Sequence, residues 1–230
     1  DLQLARNAAT KVASGMYAFA AGLHSSAAGK AAVALGSDQT AQANYSGAIA
    51  GERGIATGEG SVAMGGYQNL ASGTYAFAHG YSARADRYGM RAMGGVGISP
   101  GNPNIMEISL GVATESTDAA LMSTRFHMLE RLVLPAGRTW FCDVAITSRQ
   151  ADGSSGYAER RVCIQRTGTT TALVGTVQTI GTDTWDTALG TPTVAITADD
   201  VNEALQVAIT PANATATRWA ARLIILEVAY

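Results

Sequence analysis

The sequence predicts an all-β chain in two parts, a parallel β-roll followed by an antiparallel β-sandwich or jelly roll. Three observations predict it. A glycine returns about every seven residues through the first hundred, at Gly15, Gly22, Gly29, Gly36, Gly51, Gly58, Gly65, Gly73, Gly80 and Gly94. The residues before these glycines alternate small and bulky with period two, the signature of a strand. Beyond residue 104 the period is gone, and runs of strand-forming residues separated by turn clusters take over.

The repeat sets the first part. Ala18-Phe19-Ala20-Ala21-Gly22, Ala32-Val33-Ala34-Leu35-Gly36, Ser61-Val62-Ala63-Met64-Gly65 and Ala76-Phe77-Ala78-His79-Gly80 each place a small residue, a bulkier one, then Ala. Each heptad reads as a short strand plus a turn, with the glycine expected to supply a positive φ at the corner. A unit this short buries no core alone and is stable only when stacked on its neighbours. Ala at the second and usually the fourth place before glycine points inward, into a thin core. The outward positions show a second period. Heptads ending at Gly22, Gly36, Gly51, Gly65, Gly80 and Gly94 present Phe19/Ala21, Val33/Leu35, Ala48/Ala50, Val62/Met64, Phe77/His79 and Arg91/Met93, and the heptads between them are more polar.

Each coil is therefore expected to hold two strands in 14 or 15 residues. Six coils stacked about 4.8 Å apart make a rod of roughly 30 Å. An apolar stripe along a rod must be covered, and the simplest cover is the same stripe on identical chains. This predicts a homo-oligomer, read as a trimer, with Phe19, Val33, Leu35, Val62, Met64, Phe77, His79 and Met93 in the interface. The strict phase, and the lack of any proline before Pro100, oppose a flexible Gly/Ala/Ser linker. Tyr45, Tyr67, Tyr81 and Tyr88 fall near corners, where they either cap coils, the favoured expectation, or form an exposed binding strip.

The units Ala32-Val33-Ala34-Leu35-Gly36 and Ser61-Val62-Ala63-Met64-Gly65 resemble the head repeats of trimeric autotransporter adhesins, which bacteriophage tail fibres also use. The resemblance covers roughly residues 13 to 97 and implies a left-handed parallel roll and a trimer. Ala43 and Arg87 depart from it, standing where a corner glycine is expected, so those corners are expected to be irregular.

The organisation that follows is a shaft over 1–97, a hinge over 98–104 built on Pro100-Gly101-Asn102-Pro103, and a tip over 105–230. In the tip, Arg125 to Leu134 and Thr139 to Ser148 flank the turn Pro135-Ala136-Gly137, and Trp140, Cys142, Val144 and Ile146 line one face. Hairpins are expected at Asp152 to Gly156 and Thr167 to Thr171, and later strands at Leu173 to Ile180, Thr193 to Thr197, Leu205 to Thr210 and Arg218 to Val228. About eight strands in such a length fit a sandwich or jelly roll. The stretch from Leu132 to Trp140 and the closing Arg218-Trp219 to Glu227-Val228 resemble the C-terminal sandwich domains of phage tail fibres, which implies a distal tip that touches the host.

Composition excludes several classes. A formal charge of -2 offers no bulk attraction to nucleic acid. No apolar run approaches the roughly 20 residues that span a bilayer, so no membrane insertion is expected. The start shows no signal peptide, and Asp1 in place of Met reads as a fragment or processed product. Cys142 and Cys163 are expected to be two buried free thiols.

The search for chemistry finds little. His24, His79 and His127 lie far apart, no Cys/His spacing suits a metal, and no Gly-x-Ser-x-Gly elbow or phosphate loop occurs. Lys11 and Lys30 are the only lysines, so the tip has no serine-lysine dyad. The expectation is no catalytic residue, no enzyme, no cofactor and no metal. One cluster stands out: Asp183 and Asp186 bracket Trp185 in a loop-like stretch, an aromatic plate with two acceptors suited to a sugar, although a turn packed under a sheet edge accounts for the same residues. The expected function is a phage tail-fibre segment on the virion that attaches to a bacterial surface polysaccharide or outer-membrane protein and joins other tail proteins. A bacterial adhesin head fragment and a purely structural fibre connector are the competing readings.

Overall fold

The computed structural model describes residues 2–5, 12–95, 104–124 and 130–229. The chain forms two compact units, Asp1–Met106 and Glu107–Tyr230. The expected hinge, apart from Asn104, and the stretch 125–129 with His127 lie outside the described residues.

The first unit is a parallel β-solenoid of five complete two-stranded coils. Its long strands are Phe19–Leu23, Val33–Ser37, Gly47–Glu52, Val62–Tyr67 and Phe77–Tyr81, all parallel and adjacent in chain order. The short strands Ser26–Ala27, Thr40–Ala41, Ile55–Ala56, Leu70–Ala71 and Arg84–Ala85 stack into a second sheet. The sixth expected coil is represented by the single strand Arg91–Gly94. Leu2–Ala5 adds a further parallel strand against Phe19–Leu23, in a stretch with no glycine heptad to announce it.

The core consists of two alanine ladders. Ala20, Ala34, Ala48, Ala63, Ala78 and Ala92 line the long sheet, and Ala27, Ala41, Ala56, Ala71 and Ala85 line the short one, every one at most 1% exposed. A larger side chain at each rung would force the two layers apart, so small residues are what permit the flat coil. Asn69, a polar side chain inside the coil, is tied to backbone, whereas the buried amide of Gln39 finds no hydrogen-bond partner among the described residues. Asn69 donates to the carbonyls of Gly65 (2.6 Å) and Gly80 (2.8 Å) and accepts from the N–H of Ala83 (2.9 Å).

Two expectations about the coil are corrected. Counting back from Gly51 places Ala48 and Ala50 outward in the third coil, but Gly47 pairs with Val33, Ala48 with Ala34 and Ile49 with Leu35. Gly47 and Ile49 therefore face out and Ala48 is core. The extra residue of this 15-residue coil is accommodated after Ile49 as a bulge around Ala50, whose φ is 56°, and a one-residue slip moves every side chain to the other face.

The second correction concerns the corners. Four repeat glycines do carry the expected positive φ, Gly22 (110°), Gly36 (135°), Gly65 (64°) and Gly80 (98°), but each coil also has positive φ at two further places, mostly at residues other than glycine: at Tyr17, Ala31, Tyr45 and Tyr75 on one side, and at His24, Asp38, Arg53, Gln68 and Ser82 on the other. Several repeat glycines have ordinary φ and are demanded by close approach instead. A Cβ at Gly29 would lie 1.9 Å from the carbonyl oxygen of Ala43, and one at Gly58 2.0 Å from that of Gly73. Ala43 and Arg87 do not make irregular corners. Ser46 N donates to Ala43 O and Met90 N to Arg87 O, both at 3.3 Å, the bond that Ala32 makes to Gly29 at 3.2 Å and Ser61 to Gly58 at 3.1 Å.

The second unit holds two antiparallel sheets. The larger runs Asn104–Thr114, Thr217–Ala229, Arg138–Gln150, Ser155–Thr167 and Thr170–Leu173, with Gln178–Thr179 and Thr184–Trp185 also paired to Ser155–Thr167. In the smaller, Ala204–Thr210 is central. Thr193–Asp199 pairs along its length, and Ala120–Leu121 and Leu132–Val133 also pair with it. Leu132–Val133 does not form a hairpin with Arg138–Gln150 across Pro135-Ala136-Gly137; that turn carries the chain from one sheet to the other.

Alternation sorts the faces as the sequence predicts. Trp140, Cys142, Val144 and Ile146 point inward with Trp219, Leu223 and Ile225. The polar groups of the tryptophans and of Glu227 are satisfied: Glu227 accepts from Trp140 Nε1 (2.8 Å) and Arg138 (3.2 Å), and Trp219 Nε1 donates to Thr114 (2.9 Å). Both thiols are free, but only Cys142 is buried. Cys142 pairs with Val162 and Cys163 with Phe141, so the thiols lie on opposite faces of the sheet and Cys163 is half-buried, which corrects the expectation of two buried thiols. Burial, with Cys163 and Asp143 nearby, pushes the Cys142 thiol far up, so it stays protonated.

Candidate functional site

Three surfaces are placed by this architecture. The first is the edge of the larger sheet where Thr184–Trp185 pairs with Ser155–Thr167, Trp185 opposite Gly156 and Thr184 opposite Tyr157. A Cβ at Gly156 would lie 2.2 Å from the Trp185 indole, so glycine is what lets the ring lie close there. The ring also meets Trp219 edge-on, centroids 5.9 Å apart.

The structure brings Asp183, Trp185 and Asp186 together on this edge and gives each an internal partner. Asp183 receives two 2.6 Å hydrogen bonds from the Arg160 guanidinium, a bidentate fork. Arg160 is only 8% exposed and also donates to the carbonyl of Glu159. That hydrogen-bonded guanidinium holds the Asp183 carboxyl below the usual carboxylate range, and Asp183 in turn holds Arg160 charged. Asp186 accepts from the N–H of Ser155 at 2.7 Å and returns its own N–H to Ser155 O at 3.0 Å. Arg160 is invisible to sequence reasoning, because nothing local ties it to a loop 23 residues away.

The second surface is the outer face of the long solenoid sheet. Parallel pairing stacks Phe19, Val33, Gly47, Val62, Phe77 and Arg91 in one row, and Ala21, Leu35, Ile49, Met64, His79 and Met93 in the next. Phe19, Met64 and Met93 are each at least 40% exposed, and Phe77 leans on His79 with ring centroids 5.3 Å apart. Ile49 belongs to the stripe, although the heptad count omits it, because the bulge displaces the glycine that sets the phase.

The third is a trough of about 490 Å³ on the outer face of the larger sheet in the second unit, floored by Ala145, Thr147 and Ala220 and rimmed by Tyr157, Glu159 and Arg222. Beside it Arg161 bonds Asp143 at 2.6 Å and covers the Phe141 ring at 5.5 Å. It draws on four strands, with Ser109 and Leu110 from Asn104–Thr114 as well, so only small or apolar residues at outward positions, Ala145 and Ala220 among them, hint at it.

Among the described residues no group of three His, Cys, Asp or Glu is placed to hold a metal, and no helix is long and apolar enough to cross a membrane.

No family model matches the sequence, and a search of curated proteins finds no match. Among solved structures, the chain is similar to the tailspike protein gp49 of the Acinetobacter baumannii bacteriophage Fri1, a capsular polysaccharide depolymerase. That match has 10% identity and a TM-score of 0.35, over 93% of this chain and 38% of that one. It is also similar to the tailspike protein of Acinetobacter phage vB_ApiP_P1, with 10% identity and a TM-score of 0.26, over 92% of this chain and 51% of that one. The chain thus spans about two-fifths to one-half of these tailspikes. The expectation that the chain is not an enzyme is corrected here: one of these neighbours is an enzyme, a depolymerase, and the absence of catalysis is not maintained.

Proposed function

We propose that this chain is part of a homotrimeric phage receptor-binding fibre carried on the virion. In this reading the solenoid is a rigid, left-handed shaft, the second unit is a sandwich tip, and the job is attachment to a bacterial surface polysaccharide. The observation that carries it is the outer face of the long solenoid sheet, where Phe19, Val33, Val62 and Phe77 form a row beside Leu35, Ile49 and Met64. A soluble chain gains by covering such a stripe, and a repeat that presents the same row on every coil suits a long parallel contact between identical copies. The adhesin-like repeat pattern supports the same assembly, and the Trp185 edge is the proposed glycan contact of the tip.

Two measurements test this. Light scattering of the purified protein should give the mass of three chains, and the fluorescently labelled protein should coat encapsulated bacteria of its host and not cells stripped of capsule. A single-chain mass, or equal coating of both cell types, overturns the reading.

A further inference from the structure

One corner of the solenoid carries an aromatic ladder. The left-handed positions along it are Tyr17, Ala31, Tyr45, Gly60, Tyr75 and Gly89, with φ between 51° and 62° throughout. Tyrosine and a small residue alternate strictly. At Gly60 the small residue is demanded by packing: a Cβ there would lie 2.6 Å from Cδ1 and 2.8 Å from Cε1 of Tyr75, so this ring lies back over the coil before it. Adjacent coils are about 4.8 Å apart, so rings on every second coil recur at about 10 Å.

These rings do not cap the coils, as the sequence suggests for Tyr45. Tyr17 is 82% exposed, Tyr45 55% and Tyr75 58%. On the three middle coils the residue immediately before the left-handed position is Lys30, Asn44 and Glu59, and the Lys30 ammonium lies 6.0 Å from the Tyr45 ring centroid. Tyr88 meets Tyr75 edge-on at 5.6 Å and steadies the last ring.

We infer that Tyr17, Tyr45 and Tyr75 form a stacking platform for a linear polysaccharide lying along the coils. Pyranose rings present apolar C–H faces that stack on aromatic rings, while their hydroxyls need donors and acceptors at the margin. A period of about 10 Å is close to the length of two linked pyranose rings, so a regular polymer meets successive tyrosines in the same phase. Lys30, Asn44 and Glu59 take the hydroxyls or charged substituents. A compact protein partner would gain nothing from this regular spacing, whereas a polymer of repeating units gains affinity with every rung. The inference rests on the glycan-attachment reading above and adds a contact on the shaft to the one proposed at the tip.

The test uses the whole chain and an array of purified linear bacterial capsular polysaccharides. Tyr45→Ala and Tyr75→Ala are suitable variants because the equivalent corner at Ala31 already holds alanine at φ 51°. The expected result is binding of the unmutated protein to at least one polysaccharide, a loss of about tenfold or more in each single variant, a larger loss in the double variant, and an unchanged oligomer mass. Hydroxyl-radical footprinting should show the three tyrosines reactive in the free assembly and protected when that polysaccharide is added. Binding that survives both substitutions overturns the platform while leaving glycan attachment standing. Tyrosines already protected without polysaccharide overturn it by assigning the ladder to contact between copies. A protein that coats encapsulated cells yet binds no polysaccharide on the array also overturns it, whereas failure to coat cells at all is the failure of the attachment reading itself.

Discussion

Asp183 has the chemistry of a sugar acceptor, and its environment says what else it does. Both carboxylate oxygens are taken by Arg160, and the side chains of Arg160 and Asp183 are 9% and 25% exposed. Such a pair sits between a surface ion pair, worth under about 1 kcal/mol, and a buried one, whose breaking costs about 3 kcal/mol or more, so Asp183→Asn should cost about 2 kcal/mol at neutral pH. The pH dependence has a definite sign. The folded Asp183 carboxyl titrates below its ordinary value of 3.8, so its contribution is fully present above about pH 4 and is lost as pH falls through the lower folded value. Denaturant midpoints of the unmutated protein and Asp183→Asn should therefore differ at pH 7 and converge at the acid end. A gap that stays constant with pH would remove the ion pair as the cause.

At the scale of the element, glycine in the coil performs two separable tasks, and substitution distinguishes them. Gly89 has a φ of 62°, and a Cβ added there would meet nothing within 4 Å, so Gly89→Ala should cost about 1 to 2 kcal/mol, the ordinary penalty of left-handed backbone. Gly58 has unexceptional backbone, but a Cβ there would lie 2.0 Å from Gly73 O and 2.5 Å from Gly73 C. Backbone of the next coil cannot step aside as a side chain can, so Gly58→Ala should cost at least about 3 kcal/mol. Thermal melts of the two variants check the order, and equal losses would show that φ governs both. This division also explains what the sequence discloses and what it hides. Coil length, the alanine ladders and the outward stripe follow from period, because each is a local repeat, except in the third coil, where the bulge at Ala50 shifts the count and hides Ala48 and Ile49. The role of the glycines does not, because the atom that forbids a Cβ belongs to a coil 14 or 15 residues further on. The same holds for the site: Asp183, Trp185 and Asp186 are neighbours in the chain and are legible there, whereas Arg160, Gly156 and Trp219, which hold them, come from other strands.

For the whole molecule, the decisive question is what covers the stripe of the long sheet. Phe77 is flanked by Val62 and Arg91 in its own row and by His79 on its strand. Burying a large apolar side chain is worth about 1.5 to 3 kcal/mol, and in a trimer each substitution acts three times. Phe77→Asp replaces that gain by the cost of desolvating a carboxylate in an apolar seam, so the assembly should fall to single chains or to an unfolded state. Thr57→Asp is the matched control. Thr57 is exposed on the short-strand side, where the outward row is more polar and no partner is proposed, so the same charge there should leave mass and melting temperature within the range of ordinary surface changes. Light scattering with far-UV circular dichroism separates the outcomes. A lower mass with the β signal retained locates Phe77 in the interface, and loss of both shows that the solenoid depends on its partners to fold. A Phe77→Asp protein with the mass and melting temperature of the unmutated one would mean that the stripe faces water, and the trimer would have to be sought on the outer face of the second unit, where Phe141, Ile224, Leu226 and Val228 are also exposed.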